Sequence, residues 1–233
     1  KLPKLRRAPH HILRVLMRGD DTLIVIAYPA RMESKNADRN APRICVVGAG
    51  PSGLTTTKTL MQEGLQVDCY DKSPYIGGHW VIDNPTGCSS AYRSLHTNTT
   101  KRMSRFSDYN MPNDWPEFPS FDQVRQWLES YIDTFGFRKN IHLTTEVVDA
   151  TPRAEGGWDV KIKPADSQCH TETYDALVAA SGSYWDRKMP IWDGRFDGQI
   201  ILSTKPFKIN LSTKRVVLLI FVTILSFNVE RFA

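Results

Sequence analysis

Residues 43–71 read Arg43-Ile-Cys-Val-Val-Gly48-Ala-Gly50-Pro-Ser-Gly53, then Leu54 to Glu63, Gly64, Gln66-Val-Asp-Cys-Tyr70 and Asp71. An apolar run, a glycine turn, a helical stretch, a second short run and an acid predict strand, loop, helix and strand. Gly48 permits the tight turn, Gly50 lets backbone approach a pyrophosphate, and Gly53 lets the helix pack closely on the strand. With Ala49, Pro51 and Ser52 they form a candidate phosphate loop. Free N–H groups and the positive end of the helix dipole make an anion site there without any basic side chain. Asp71, 18 residues after Gly53, is placed to accept hydrogen bonds from adenosine ribose hydroxyls, and its charge would repel a 2′-phosphate. FAD or NAD therefore fits this crevice, and NADP does not. Leu54, Leu60 and Met61 are the expected apolar stripe of the helix, and Gly64 its left-handed stop.

A chain of 233 residues with 41% apolar content can build a core, as one large domain or two small ones. The net charge of +5 is confined to the first 31 residues, where Lys1, Lys4, Arg6, Arg7, Arg14, Arg18 and Arg31 face only Asp20 and Asp21. The body sums to zero and predicts no nucleic-acid surface. Cys45, Cys69, Cys88 and Cys169 contain no CxxC pair, which fits a reducing compartment and argues against a thiol–disulfide reductase. The six histidines (His10, His11, His79, His96, His142 and His170) form no HxxxH or Cys/His cluster, so no metal site is expected.

The two ends differ from the middle. Residues 1–41 read as a leader, without fixed structure or not native, with a transit peptide and a disordered tail as the competing readings. Met32 is a natural start. Val216 to Phe227 (VVLLIFVTILSF) is shorter than the roughly 18 to 20 apolar residues a membrane helix needs. It reads as a buried strand or a sticky tail, with membrane contact as a further alternative.

Beyond Asp71 lie Lys72-Ser-Pro-Tyr-Ile-Gly77-Gly78-His79-Trp80 and Tyr92-Arg-Ser-Leu-His-Thr97-Asn98-Thr99-Thr-Lys101-Arg-Met-Ser-Arg-Phe106-Ser-Asp-Tyr-Asn-Met111-Pro. These segments resemble the flavin-containing monooxygenases, which run GxGxxG, an acid-Lys-Ser step, Gly-Gly-x-Trp, then a Thr-Asn or Ser-Asn pair and an aromatic-Ser-Asp-aromatic run. The acid there is more often Glu. The Arg-Tyr-Pro-Gly sequence of the related Baeyer–Villiger monooxygenases is not found. The resemblance implies an α/β, Rossmann-like FAD-binding domain of the two-dinucleotide-binding flavoprotein type, with a β-rich insertion. It places Gly78, His79, Trp80, Thr97, Asn98 and Thr99 in the cofactor site, with Asn98 as the catalytic residue beside the flavin ring. An amide both donates and accepts, so it would orient the oxygenated cofactor without exchanging protons. The plainer alternative for Asn98 is a turn residue capping a helix.

Residues 120–135 predict an amphipathic helix capped by Ser120, with Phe121, Val124, Trp127, Leu128, Tyr131, Ile132 and Phe135 on its core face. Strands are expected at Ile141 to Thr145, Glu146 to Ala150 and Trp158 to Lys163, with Gly156-Gly157 turning the last pair. Tyr174 to Gly182 resembles the Ala-Thr-Gly strand end with which such flavoproteins return to FAD, so Ser181 and Gly182 join the cofactor site.

The likeness then breaks. The family's F-x-G-x-x-x-H appears as Phe196-Asp-Gly198-Gln-Ile-Ile-Leu202, with Leu for His, and Pro206 stands where an aromatic is expected. No glycine follows Gly198, so the NADPH site of the parent family is absent here. The expectation is an incomplete FAD-binding domain over 42–205, and an apolar tail over 206–233 replacing the start of the NADPH-binding domain in a truncated chain. The activity implied is NADPH- and O2-dependent oxygenation of soft nitrogen or sulfur nucleophiles, as in dimethylaniline monooxygenase. A non-catalytic FAD-binding remnant or interaction module is the alternative. A cytoplasmic or endoplasmic reticulum-associated location accompanies that reading.

Overall fold

A computed structural model describes residues 11–18, 22–29, 41–87, 89, 91–182, 194, 199–202 and 216–219. The strands are β1 (His11–Arg18), β2 (Thr22–Pro29), β3 (Arg43–Val47), β4 (Gln66–Tyr70), β5 (Ile141–His142), β6 (Thr145–Pro152), β7 (Trp158–Pro164), β8 (His170–Tyr174), β9 (Ala176–Ala179), β10 (Gln199–Leu202) and β11 (Val216–Leu219). The helices are α1 (Pro51–Gln62), α2 (Lys101–Ser104) and α3 (Phe121–Phe135).

β3 is the strand from which the rest is organised. It runs parallel to both β4 and β9 in a sheet ordered β1-β2-β9-β3-β4-β5. Because side chains alternate along a strand, its apolar run serves two layers. Ile44 and Val46 join a core with α1 and α3 residues such as Leu54, Leu128 and Ile132, whereas Cys45 packs with Val160, Ile162 and Tyr174 of the antiparallel sheet β6-β7-β8. Burial on both faces explains why this strand is continuously apolar rather than alternating. Chain order reverses at β3: α1 leads to β4 on one side, and the later β9 returns on the other. That leaves a crevice at the carboxyl ends of β3 and β9.

α3 forms as its sequence predicts. Ser120 and Gln123 complete a reciprocal capping box, and Val124, Trp127, Leu128, Tyr131 and Ile132 are buried. Leu128 and Ile132 are fully enclosed, and each contributes roughly 1.5–3 kcal/mol of transfer free energy.

α1 departs from expectation in two ways. It starts at Pro51 rather than Leu54, because proline's fixed φ and missing N–H suit the first helical position. Its buried set includes Thr56, Thr57 and Lys58, while Leu60 and Met61 are only partly buried. The strand expected over Ile141 to Thr145 is split between two sheets. His142 ends β5, Thr144 has a φ of 50°, and Thr145 opens β6.

Within residues 1–41, expected as a leader without fixed structure, the antiparallel hairpin β1–β2 is present, and Val25–Ala27 pairs with Leu177–Ala179 of β9. The runs HILRVLMR and TLIVIAYP are rich in aliphatic and β-branched residues, a composition suited to strands, and the pairing covers the edge of β9. β11 pairs in parallel with β10. Phe196, Gly198, Pro206 and the rest of the Val216–Phe227 run lie outside the described residues. No described helix is long and apolar enough to cross a membrane.

The two sheets are joined by a charged cluster. Arg43 pairs through Nη2 with Asp68 at 2.7 Å and Glu172 at 2.6 Å, and its guanidinium lies 4.5 Å from the Tyr174 ring centroid. The Tyr70 hydroxyl donates to that of Tyr174 at 2.7 Å, which donates to Asp68 at 3.2 Å. His142 Nε2 lies 3.2 Å from Asp68 Oδ1. Burial alone would raise both carboxyl pKa values. Hydrogen bonds and charge from His142 and Arg43 outweigh it for Asp68, and those from Arg43, with hydrogen bonds from His170 and Tyr174, outweigh it for Glu172, so both lie below their ordinary 3.8 and 4.5.

A carboxyl whose pKa is lower in the folded than in the unfolded chain stabilises the fold above the unfolded value, and that contribution is lost as pH falls through the folded one. Urea unfolding should therefore show the chain losing stability from about pH 4.5 downward. Arg43→Met, less stable at pH 7, should lose less over the same interval because its carboxyls titrate higher. An identical acid dependence would show that the cluster does not act in this way.

Candidate functional site

The crevice is built from the backbone outward. The Gly48 N–H donates to Tyr70 O at 2.7 Å, the Gly77 N–H to Ala49 O at 3.1 Å, and the Ala180 N–H to Val47 O at 2.8 Å. These bonds draw the ends of β3, β4 and β9 and the Gly77–Gly78 turn around one loop. The loop's closeness depends on two missing side chains. A Cβ on Gly53 would collide with Gly48 O, and one on Gly48, whose φ is +108°, would collide with Ala180 O. Gly50 is different. A Cβ there would reach only Gly78 Cα, at 3.7 Å, so nothing in the protein itself forbids a side chain.

Gly50 is the N-cap of α1, without a side-chain capping bond, and the first helical turn has no acidic residue. Pro51 lacks an N–H, and the N–H groups of Ser52 and Gly53 fall in the turn that has no intrahelical acceptor. Donors and a positive helix end are thus presented without an acidic residue in the first turn or a side-chain cap to answer them among the described residues, which fits a pyrophosphate.

Asp71 stands at the end of β4. Its Oδ2 accepts from the Ala49 N–H at 2.7 Å and its Oδ1 from the Ser73 N–H at 2.8 Å. A carboxylate offers about four lone-pair sites, so acceptor capacity for ribose hydroxyls remains. Ser73 was missed in the sequence, although Asp-Lys-Ser-Pro is the signature of an Asx turn. Gly78, His79 and Trp80 form a single 3-10 turn. Gly78 faces Gly50, Trp80 packs partly against the helix-side core, and burial lowers the His79 imidazole pKa, which favours its neutral form.

The Thr97–Thr99 turn is held by a different element. The Thr97 N–H donates to Pro119 O at 2.9 Å, and His96 bridges Ser120, the cap of α3. α3 in turn places Arg125 and Leu128 beside Gly77. The Thr97 side chain is buried, and its Oγ1 has no partner among the described residues. Asn98 is exposed. The residue that caps α2 is Thr100, whose side chain accepts from the Met103 N–H, so Asn98 is not the helix cap. Thr99 Oγ1 lies 2.5 Å from Ser104 Oγ. Ser181 and Gly182 follow β9 and are exposed, with the Ser181 backbone against Gly48. The glycine loop, Asp71, Gly78 and Ser181 are thus in mutual reach, while Thr97–Thr99 is linked to them through α3. Among the described residues, no group of three or more His, Cys, Asp or Glu is arranged to hold a metal ion.

The family model described as flavin-binding monooxygenase-like matches residues 41–224. The N-oxide-forming dimethylaniline monooxygenase 4 of Oryctolagus cuniculus is 32% identical over 171 residues, which is 69% of this chain and 31% of that protein. Flavin-containing monooxygenase 5 of Rattus norvegicus is 34% identical over 155 residues, 64% of this chain and 29% of that one. The chain spans about a third of the length of these relatives. Among solved structures, S-allyl-L-cysteine S-oxygenase from Allium sativum superposes with a TM-score of 0.65 at 27% identity, covering 70% of this chain and 42% of that one.

The different surroundings of the two glycines give a paired prediction. Gly53→Ala should lower both thermal stability and dinucleotide affinity, because the helix must move off the strand. Gly50→Ala should melt close to the unsubstituted chain, yet bind FAD at least about tenfold more weakly in a titration, since only the ligand needs that space.

Proposed function

The chain belongs to the flavin-binding monooxygenase-like family, and from that premise we propose that it holds FAD across the crevice at Gly48–Gly53. It would thereby furnish the flavin-binding part of an NADPH- and O2-dependent oxygenase of soft nitrogen or sulfur nucleophiles. The observation that carries this reading is the phosphate loop with unanswered donors beside an anchored acid. The names of two relatives, an N-oxide-forming dimethylaniline monooxygenase and an S-oxygenase, supply the substrate class.

Bound FAD would supply hydride acceptance from NADPH and the activation of O2, a division of labour in which the protein binds and orients the cofactor. The α1 N-terminus would hold the pyrophosphate, and Asp71 would accept from the adenosine ribose hydroxyls. The backbone of Ser181, which lies against Gly48, and that of Gly182 would line the edge of the same site. Asn98 is the residue assigned to the flavin ring. Its exposed amide can donate through Nδ2 and accept through Oδ1 without changing protonation state. The buried Thr97 Oγ1, lacking a partner within the described residues, is a second donor or acceptor beside it.

A FAD-binding module without turnover is the other reading, and one observation favours it. The family's F-x-G-x-x-x-H reads Phe196-Asp-Gly198-Gln-Ile-Ile-Leu202 in this chain, with Leu in place of His.

The flavin spectrum of the purified full chain, recorded without oxygen before and after NADPH, separates the two. A yellow protein that bleaches supports the oxygenase reading. A yellow protein that stays oxidised supports the module, and a colourless one rejects FAD as the ligand.

A further inference from the structure

Lys58 is only 8% exposed, yet it sits within α1, forms an ion pair with Asp108, and places its ammonium 4.7 Å from the centroid of the Phe135 ring. A buried charge is costly unless it is paired, and helix packing alone would be served by an apolar side chain at this place. What the charge adds is a tether to Asp108.

Asp108 belongs to a unit that begins at Thr99, whose Oγ1 lies 2.5 Å from Ser104 Oγ and whose carbonyl accepts from that hydroxyl at 3.3 Å. Thr100 caps α2, the Arg105 N–H donates to Lys101 O at 3.1 Å, Phe106 and Tyr109 form a bridge, and Arg105 hydrogen-bonds to Asn110. The unit is fastened to α3 by the Tyr109 hydroxyl on Ser130 Oγ at 3.0 Å and by Trp127 Nε1 on Asn110 O at 3.1 Å. Lys58 fastens it to α1. From Lys58 the helix runs two turns, about 10 Å, back to the phosphate loop.

We propose that Lys58 is a positioning residue whose pair with Asp108 holds the Thr97–Thr99 turn in register with the phosphate loop, so that one FAD molecule reaches both. The inference rests on the FAD reading above. It requires a loss of register to weaken a ligand that spans the two sites, and not one that occupies the phosphate loop alone. ADP is such a short ligand, because it carries the adenosine and the two phosphates without the flavin.

The test is titration of the full chain with FAD and with ADP. Lys58→Met keeps an unbranched side chain only one atom shorter and removes the charge, and Asp108, whose side chain is 38% exposed, stays hydrated. FAD affinity should fall at least about tenfold while ADP affinity stays within about twofold, and Lys58→Arg should recover most of the FAD affinity. Equal weakening of both ligands would mean that Lys58 merely supports α1, and unchanged FAD affinity would remove the tether altogether. Either result overturns the proposal. An unsubstituted chain that binds ADP but gains nothing from the flavin half overturns the FAD reading instead, and the proposal with it. If Lys58→Met does not fold, Asp108→Asn provides the same comparison of FAD with ADP.

Discussion

The contact of α1 with the turn that precedes it constrains everything else in the crevice. Gly53 lies so close to Gly48 O that a single methyl group would separate helix from strand. This closeness seats the first turn of α1 directly against the end of β3 and the Ala180 that follows β9. It also presses Gly48 against Ala180, so the end of a strand more than a hundred residues later becomes a wall of the same loop. A backbone-only anion site needs such tolerance, because N–H groups act over hydrogen-bond distances and have no side chain with which to reach.

That geometry persists only if β3 is held from both faces. On the helix side the hold is apolar, through Leu54, Leu128 and Ile132. On the other side it is mixed. Cys45 and Val160 exclude water while the cluster around Arg43, the first residue of β3, fixes the antiparallel sheet against the parallel one. The burial that pushes the Tyr70 hydroxyl pKa up to about 12 also keeps it protonated as a donor to Tyr174. At the carboxyl end of β3 the loop is instead held by backbone bonds and by the Asp71 carboxylate, which accepts from the Ala49 N–H.

These differences decide what was legible in the sequence. β3, α1 and β4 could be read because each demand on them falls on a residue type with few substitutes: glycine at the close approach, aliphatic residues between two layers. α3 could be read because its core face and its capping box agree. β8 could not. His170 to Tyr174 is polar until its last residue, and its order comes from pairing with β7, a partner remote from any local pattern. Lys58 was opaque for the same reason, since a lysine on a helix reads as solvent-facing until Asp108, fifty residues away, is brought to it. The candidate site divides likewise. The glycine loop and Asp71 have a spacing that carries physical meaning, whereas Thr97–Thr99 was assigned by resemblance, and its hold through the cap of α3 has no local signature.

The placement of an acid beside a candidate anion site follows from how donors are allotted. Asp71 is satisfied by the Ala49 and Ser73 N–H groups, so its charge does not compete for those of Ser52 and Gly53 at the start of α1. A dinucleotide pyrophosphate could use the latter set while its ribose hydroxyls donate to the remaining Asp71 lone pairs. A 2′-phosphate would bring roughly two further negative charges to a part of the crevice where the N–H groups of Ala49 and Ser73 are already committed to a carboxylate. Rejection of NADP at this loop would therefore rest less on repulsion across water, which is screened, than on the lack of a donor to replace the phosphate's lost hydration. The same two N–H groups that fix Asp71 would thus set the loop's choice of nucleotide.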